Sequence, residues 1–238
     1  MNRRDAILSI PVFFGYLAGL ARGQDAGIYI RSLDAYVSSS NSNWDKRPKI
    51  SIPTTEQSIH ILTNHERYKE SRRTGKVISQ LNWDSHLAII ARRHSWDMSE
   101  NDFFDHVNKN GMNQTARAEA YGYPHRKEII KEEKRKDGSV VSTKFIKSGI
   151  GENVFMHPLF NRCDVITRTQ NVNGRGYENK SYRFDWNGQE SIASGVVAGW
   201  MDSPGHRRNI LNPDYSREGI GAFLSFEKNH AMVTQNFW

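Results

Sequence analysis

WMDSPGHRRNIL, residues Trp200–Leu211, is the segment of this chain from which the fold can be inferred. Two earlier segments accompany it: FFDHVN at Phe103–Asn108 and GIGENV at Gly149–Val154. Each segment places one side chain able to bind a metal, His106, Glu152 or His206, among apolar or turn-forming neighbours. A fold that brings the segments together would gather two imidazoles and one carboxylate, and we expect a functional site there.

Length and composition limit the class of protein. A chain of 238 residues with 37% hydrophobic and 25% charged residues can form one large domain with a packed core. The single cysteine, Cys163, excludes an internal disulfide and a zinc site built on several thiolates, and we expect it to be inert. A net charge of +7 either favours anionic surfaces, such as cell-wall polymers, lipid headgroups or nucleic acid, or only solvates the protein.

Residues 1–23 have the pattern of a secretory signal. Arg3 and Arg4 precede an apolar run over residues 6–21, and Ala21-Arg22-Gly23 resembles a cleavage site. The run is shorter than the roughly 20 residues that a membrane span requires. We therefore expect a secreted or cell-surface protein. Two alternatives remain open: an uncleaved anchor through residues 6–21, or a buried helix.

Residues 24–53 are polar and predict a linker, and residues 54–238 predict the folded domain. Three helices are expected early in it, from Thr54 to Gly75, after the cap Asp84, and from the cap Asn113 to Gly122. His94 lies on the apolar stripe of the second helix, which is typical of a satisfied buried histidine rather than a ligand.

The rest of the domain reads mainly as strands. Hairpins are expected around Asp137-Gly138 and Asn173-Gly174, a strand at 150–155, a helix at 190–201 and two strands near the C-terminus. The aromatic residues of the second hairpin suit cross-strand packing, or alternatively stacking on bases or sugars. This order predicts an α+β fold, with helices packed on a small, mostly antiparallel sheet.

An ordered set of motifs resembles the CAP superfamily, also called the SCP domain, which comprises cysteine-rich secretory, antigen 5 and pathogenesis-related type 1 proteins. The similarity is to its prokaryotic, disulfide-free type over residues 55–238, with insertions near 125–147 and 161–188. The resemblance implies a three-layer α-β-α sandwich with a central cleft. The matching residues are Asn64-x-x-Arg67, Leu81–Asp84, Phe104-x-His106-x-Asn108, Arg117, Gly122-Tyr123, Gly151–Asn153, Trp200–Leu211, Gly219–Gly221 and Thr234–Phe237.

The same resemblance implies a cleft with two His and two Glu that binds zinc or another divalent cation. His106, Glu152 and His206 match three of the four positions, and Ser203 stands where the fourth, a Glu, is expected. Two imidazoles and a carboxylate suit zinc with an open fourth position. The alternative is a metal-free cluster in which Glu152 joins both histidines. Asn108 and Asn153 are expected to hold backbone turns.

These features favour an exported binding module over an enzyme, with a small amphiphilic ligand or a cell-envelope component as partner. The alternative is a metal-assisted hydrolase acting on cell-wall, peptide or ester substrates. A third possibility is a structural protein of the cell wall. Serine hydrolysis by Ser203 and His206 is disfavoured because the chain has no Gly-x-Ser-x-Gly motif. No nucleic-acid partner is expected, and membrane contact is expected only through the N-terminal segment.

Overall fold

The computed structural model describes residues 4–11, 46–173 and 175–238, so most of the predicted export signal and linker lies outside the described residues. The chain divides into two compact units: a smaller one within residues 1–51, 157–192 and 224–231, and a larger one of residues 52–156, 193–223 and 232–238. In chain order the elements are β1 (Arg4–Pro11), α1 (Ile52–Thr74), β2 (Asn82–Trp83), α2 (Ser85–Glu100), α3 (Gln114–Ala120), β3 (Arg126–Lys134), β4 (Val140–Ser148), β5 (Gly151–His157), β6 (Phe160–Val172), β7 (Arg175–Trp186), α4 (Gln189–Asp202), α5 (Pro204–Ile210), β8 (Arg217–Ser225) and β9 (His230–Phe237).

The larger unit combines helices with a four-stranded sheet in the order β2-β8-β9-β5. Two of its helices begin at residues whose side chains accept hydrogen bonds from free backbone amides. The Asp84 side chain accepts hydrogen bonds from the backbone of His86 and Leu87 to cap α2, and Asn113 caps α3 through the backbone of Ala116. Both caps confirm the sequence-based prediction, whereas α1 begins at Ile52, inside the predicted linker.

Helix α2 packs directly on strand β8 because two glycines of that strand leave no space between the backbones. A Cβ built on Gly219 would overlap the backbone of Ala88, and one on Gly221 would overlap the backbone of Arg92. Residues two apart in a strand face the same side of the sheet, so both glycines line one contact surface. The apolar side of α2 is fully buried, as Leu87 and other side chains of its predicted stripe have no exposed surface.

The smaller unit is built on the antiparallel pair β6–β7, with β1 on the other side of β6. Rings of Phe160, Phe184 and Trp186 pack against one another with centroids 4.9 to 5.4 Å apart. For Phe184 and Trp186 this confirms cross-strand packing. Cys163 is half-buried on β6, and burial raises the pKa of its thiol to about 11, so it is a poor nucleophile at neutral pH.

The predicted α+β class is confirmed, and two local features differ from expectation. Residues 4–11 form a strand, so the buried-helix alternative is wrong for this part of the N-terminal segment. The turn at Pro204-Gly205 ends α4 as predicted but also starts the short helix α5, which the sequence analysis did not anticipate. Among residues 4–11, 46–173 and 175–238, no helix combines the length and apolarity required to cross a membrane.

The close approach of α2 to β8 predicts a strong effect of one methyl group. Gly221→Ala should lower the free energy of unfolding by at least about 2 kcal/mol, because backbone atoms must move apart to admit the Cβ. Gly188→Ala is the matched control, since no atom lies within 4 Å of the position that its Cβ would occupy. Urea unfolding followed by circular dichroism measures both. Equal stability of Gly221→Ala and wild type would contradict the packing described.

Candidate functional site

The three predicted residues come from separate parts of the larger unit and lie close together. His106 lies in the loop between α2 and α3, Glu152 on β5, and His206 on α5. The Nδ1 atom of His106 is 2.9 Å from Oε1 of Glu152, and the rings of His106 and His206 have centroids 6.5 Å apart. The fold therefore brings together the three segments quoted from the sequence.

Glu152 is buried, and both its oxygens have partners. Oε1 accepts from His106, and Oε2 forms an ion pair with the guanidinium of Arg117, a residue of α3. Arg117 also donates to the backbone oxygens of His106 at 2.8 Å and Met112 at 2.9 Å. Arg117 thus neutralises the buried carboxylate and fixes the loop that carries His106. From the sequence Arg117 is only a motif residue, and no sequence signal predicts this role.

The loop that holds His106 is shaped by its own polar side chains. Asn108 Oδ1 accepts hydrogen bonds from the backbone of Asn110 and Met112, and Gly111 adopts a positive φ of 77° at the turn. Asn108 therefore stabilises the turn, as expected, and its amide oxygen is committed to the backbone. These bonds hold the loop that carries His106 in this turn.

Helix α5 presents His206 and is tied to β5 by side-chain amides. Asn209 donates to the backbone oxygen of Glu152 at 3.1 Å and to Asn153 Oδ1 at 2.9 Å. Asn153 in turn donates to the backbone oxygen of His206 at 3.3 Å. Asn153 was expected to hold a backbone turn, and it instead joins a strand to a helix. These bonds fix His206 relative to Glu152.

Ser203 occupies the N-cap position of α5, with Pro204 at the first helical position. Its side chain makes no capping hydrogen bond. The Nδ1 atom of His206 is buried without a hydrogen-bond partner among the described residues. Ser203 and His206 therefore do not form the hydrogen-bonded nucleophile–base pair that serine hydrolysis requires.

His94, a residue of α2, lies close to Glu152 and is almost completely buried. Its Nε2 donates to the backbone oxygen of Asp105 at 2.9 Å and lies 4.0 Å from Glu152 Oε1. Its Nδ1 has no hydrogen-bond partner within the described ranges, so only one of the two ring nitrogens of His94 is hydrogen-bonded. The sequence predicts a satisfied core histidine, and only the burial is confirmed. The apolar stripe predicted its burial, but no local signal indicated its closeness to Glu152.

A continuous chain of buried hydrogen bonds links the site to α1. Asn153 donates to Gln235 Oε1 at 3.0 Å, Gln235 donates to Glu218 Oε2 at 2.5 Å, and Glu218 Oε1 lies 2.5 Å from Nδ1 of His60. Glu218 is fully buried, and burial raises its pKa. The network crosses strands β5, β9 and β8, so Asn153, Gln235 and Glu218 have partners from distant parts of the chain.

The histidines of the site differ in their affinity for a proton. The hydrogen bond to Glu152 raises the pKa of His106 above its ordinary value of about 6.5. Burial, aided by the charge on His106, lowers the pKa of His206. Burial likewise lowers the pKa of His94. His106 therefore binds a proton more readily than His206 or His94.

A divalent cation, which the resemblance implies, needs ligand atoms free to face it. Both oxygens of Glu152 are engaged by His106 and Arg117. Within the part of the chain that the structure describes, no group of three or more His, Cys, Asp or Glu side chains is arranged to hold a metal ion. Glu152 has the geometry of a group that orients an imidazole. As arranged here, the three residues do not form a ligand set, and the ion site stays a prediction.

The opposite pKa shifts of the two imidazoles can be measured. In a titration followed by ¹⁵N-detected imidazole NMR, His106 should titrate above about 6.5 and His206 below it. Glu152→Gln should lower the pKa of His106, whereas Glu100→Gln, at an exposed position, should not. Because the folded-state pKa of His106 is raised, its stabilising contribution is complete below about pH 6.5 and lost as the pH rises through the folded value. An unchanged His106 pKa in Glu152→Gln would contradict the pairing.

Comparison with known proteins supplies the family. The family model described as "Cysteine-rich secretory protein family" (CAP) matches residues 62–154 and 160–237. Among curated proteins, the chain is 27% identical over 81% of its length to the uncharacterized membrane protein YlbC of Bacillus subtilis, and 25% identical over 79% to the uncharacterized protein YkwD of the same organism. The chain spans only 37% and 48% of these two relatives.

Two solved structures are also similar. One is an SCP-domain extracellular protein of Bacillus anthracis, with a TM-score of 0.46 and 21% identity over 78% of this chain and 40% of that one. The other is an outer surface protein of Borrelia burgdorferi, with a TM-score of 0.46 and 14% identity over 79% of this chain and 95% of that one. The family model matches well over half of the chain and includes all three residues of the site. The chain therefore belongs to the CAP family of cysteine-rich secretory proteins.

Proposed function

We propose that this CAP domain is a binding module that acts outside the cell, and that the His106–His206 region is its ligand site. The export pattern of residues 1–23 and the membership in a family of secretory proteins support the location. The observation that carries the binding role is the engagement of Glu152 by His106 and Arg117. A buried carboxylate with both oxygens in use is unsuited to act as a general base.

This engagement also weakens the case for a metal-assisted hydrolase. Such an enzyme needs ligands for the metal and, in addition, a group that moves a proton. Glu152 is the only carboxylate that the predicted site offers, and Arg117 and His106 hold it. Ser203 has no base bonded to it. The remaining chemistry at the site is hydrogen bonding and charge, which suits recognition.

The surroundings of His106 favour an amphiphilic ligand with an anionic group. Phe104 and Val107, on either side of His106 in the loop, are 48% and 44% exposed. The raised pKa of His106 provides a positive charge at mildly acidic pH, and these two apolar residues lie within two positions of it along the chain. A ligand with a carboxylate or phosphate head and an alkyl chain would use both features.

The n-decanoate ion tests this ligand class, with acetate as the probe that lacks the alkyl chain. In NMR titrations below the micelle concentration at pH 6, decanoate should shift the imidazole resonances of His106 and His206 saturably, and acetate should not. Phe104→Ser should weaken decanoate binding at least about threefold by removing apolar contact. Tyr68→Ser, at a 55% exposed position on α1, is the matched control and should bind like wild type.

Two results would contradict the proposal. One is equal decanoate binding by wild type and by a variant with both Phe104→Ser and His106→Gln. The other is turnover of a cell-wall, peptide or ester substrate that both a chelator and Glu152→Gln abolish. The second result would establish the hydrolase alternative.

A further inference from the structure

The hairpin formed by β3 and β4 has two unlike faces. Strand pairing places Glu128 opposite Ile146 and Ile130 opposite Lys144, so the even-numbered residues of both strands share one face. We call it the outer face of the hairpin. It consists of Arg126, Glu128, Ile130, Glu132, Lys134, Val140, Ser142, Lys144, Ile146 and Ser148.

Contacts at the base of the hairpin show which side faces the protein. Lys147 donates to the backbone oxygen of Asp214 at 3.2 Å and lies over the ring of Tyr215, 4.8 Å from its centroid. Because neighbouring strand residues point to opposite faces, Ile146 points away from these contacts. Every residue of the outer face is exposed, and Ile146, Ile130 and Val140 have 74%, 59% and 56% of their surface accessible.

The exposure of these three apolar side chains to water needs a physical explanation. The strands β3 and β4 form a two-stranded sheet that pairs with no other strand among the described residues. Such a ribbon is only marginally stable in water on its own, and polar residues would serve better on a solvated face. Two β-branched side chains at diagonal positions, Ile130 and Ile146, instead form an apolar patch, and Val140 lies apart from it nearer the tip, beyond the paired Glu132 and Ser142.

The charge of the hairpin indicates which kind of partner the apolar patch contacts. Residues 126–148 contain eight Lys or Arg and four Asp or Glu, so this tenth of the chain carries a net charge of +4 out of +7. On the outer face, Glu128 is already paired with Lys144 at 2.7 Å. The basic residues of the tip, Lys134, Arg135 and Lys136, are all exposed. The outer face thus carries a net charge of +1, from Arg126, Lys134 and Lys144 against Glu128 and Glu132, and the tip adds Arg135 and Lys136 against Asp137.

We propose that the outer face of the hairpin docks on a lipid surface that contains anionic headgroups. Basic side chains near such a surface gain electrostatic attraction, and isoleucine and valine side chains gain by entering the apolar boundary of the bilayer. Nucleic acids and cell-wall polymers offer the negative charge but no apolar phase, so they leave Ile130 and Ile146 without a role. This contact would be additional to the predicted N-terminal one.

Hydrogen–deuterium exchange of the full-length chain tests the docking locally, independently of any membrane contact by the N-terminal segment. With vesicles of equal parts phosphatidylglycerol and phosphatidylcholine, the amides of residues 126–148 should exchange at least about tenfold more slowly than with phosphatidylcholine alone. Added salt should reduce the protection, because part of the attraction is electrostatic.

Two variants separate docking from general adhesion. Replacing both Ile130→Thr and Ile146→Thr keeps β-branched residues in the strands and should abolish most of the protection. Val77→Thr, at an 84% exposed position outside the hairpin, should leave it unchanged. Equal protection in the double variant and wild type would overturn the proposal. So would protection by duplex DNA, but not by the anionic vesicles, which would assign the hairpin to nucleic acid.

Discussion

The buried carboxylate of Glu152 is the group on which the organisation of the site depends. It is held between His106 and Arg117, and it thereby joins strand β5 to the loop after α2 and to helix α3. Removing one partner of a buried ion pair leaves an uncompensated charge in the interior, which is far more costly than losing a surface pair. The hydrogen bond from His106 to Glu152 also raises the pKa of His106 above that of an ordinary histidine.

The polar groups around Glu152 continue into the core of the larger unit. Asn153 and Asn209 connect β5 to the helix that presents His206, and Gln235 extends the chain of hydrogen bonds to Glu218 and His60. Satisfied buried networks favour one arrangement over others, because any shift leaves a polar group without a partner. These hydrogen bonds therefore tie the helix that carries His206 to the core of the unit.

Much of the architecture follows from local signals in the sequence. Asp84 and Asn113 predict helix starts because their side chains satisfy free amides, and the apolar stripe through Leu87 predicts the buried face of α2. The order of the motifs predicts which distant segments meet. Helix α5 was missed, although Ser203-Pro204 is a recognisable start signal, because the proline was interpreted only as the end of α4.

The partners inside the site could not be predicted in this way. Neither the role of Arg117 as the ion partner of Glu152 nor the closeness of His94 has a signature within a few residues, because both depend on how segments pack in three dimensions. The expectation that Glu152 joins both histidines holds for His106 alone, since Arg117 takes the second oxygen. The chemical types of the residues thus predicted which of them form the site, and three-dimensional packing determined which of them pair.

The central claim is that Arg117 and Glu152 act as one unit, and a double-mutant cycle tests it most directly. Urea unfolding of wild type, Arg117→Met, Glu152→Gln and the double variant measures the coupling free energy between the two side chains. A buried, directly bonded pair should show a coupling of about 2 to 3 kcal/mol, with the double variant losing less stability than the two single variants lose together. A coupling below about 0.5 kcal/mol would mean that the two residues act independently and would contradict the account.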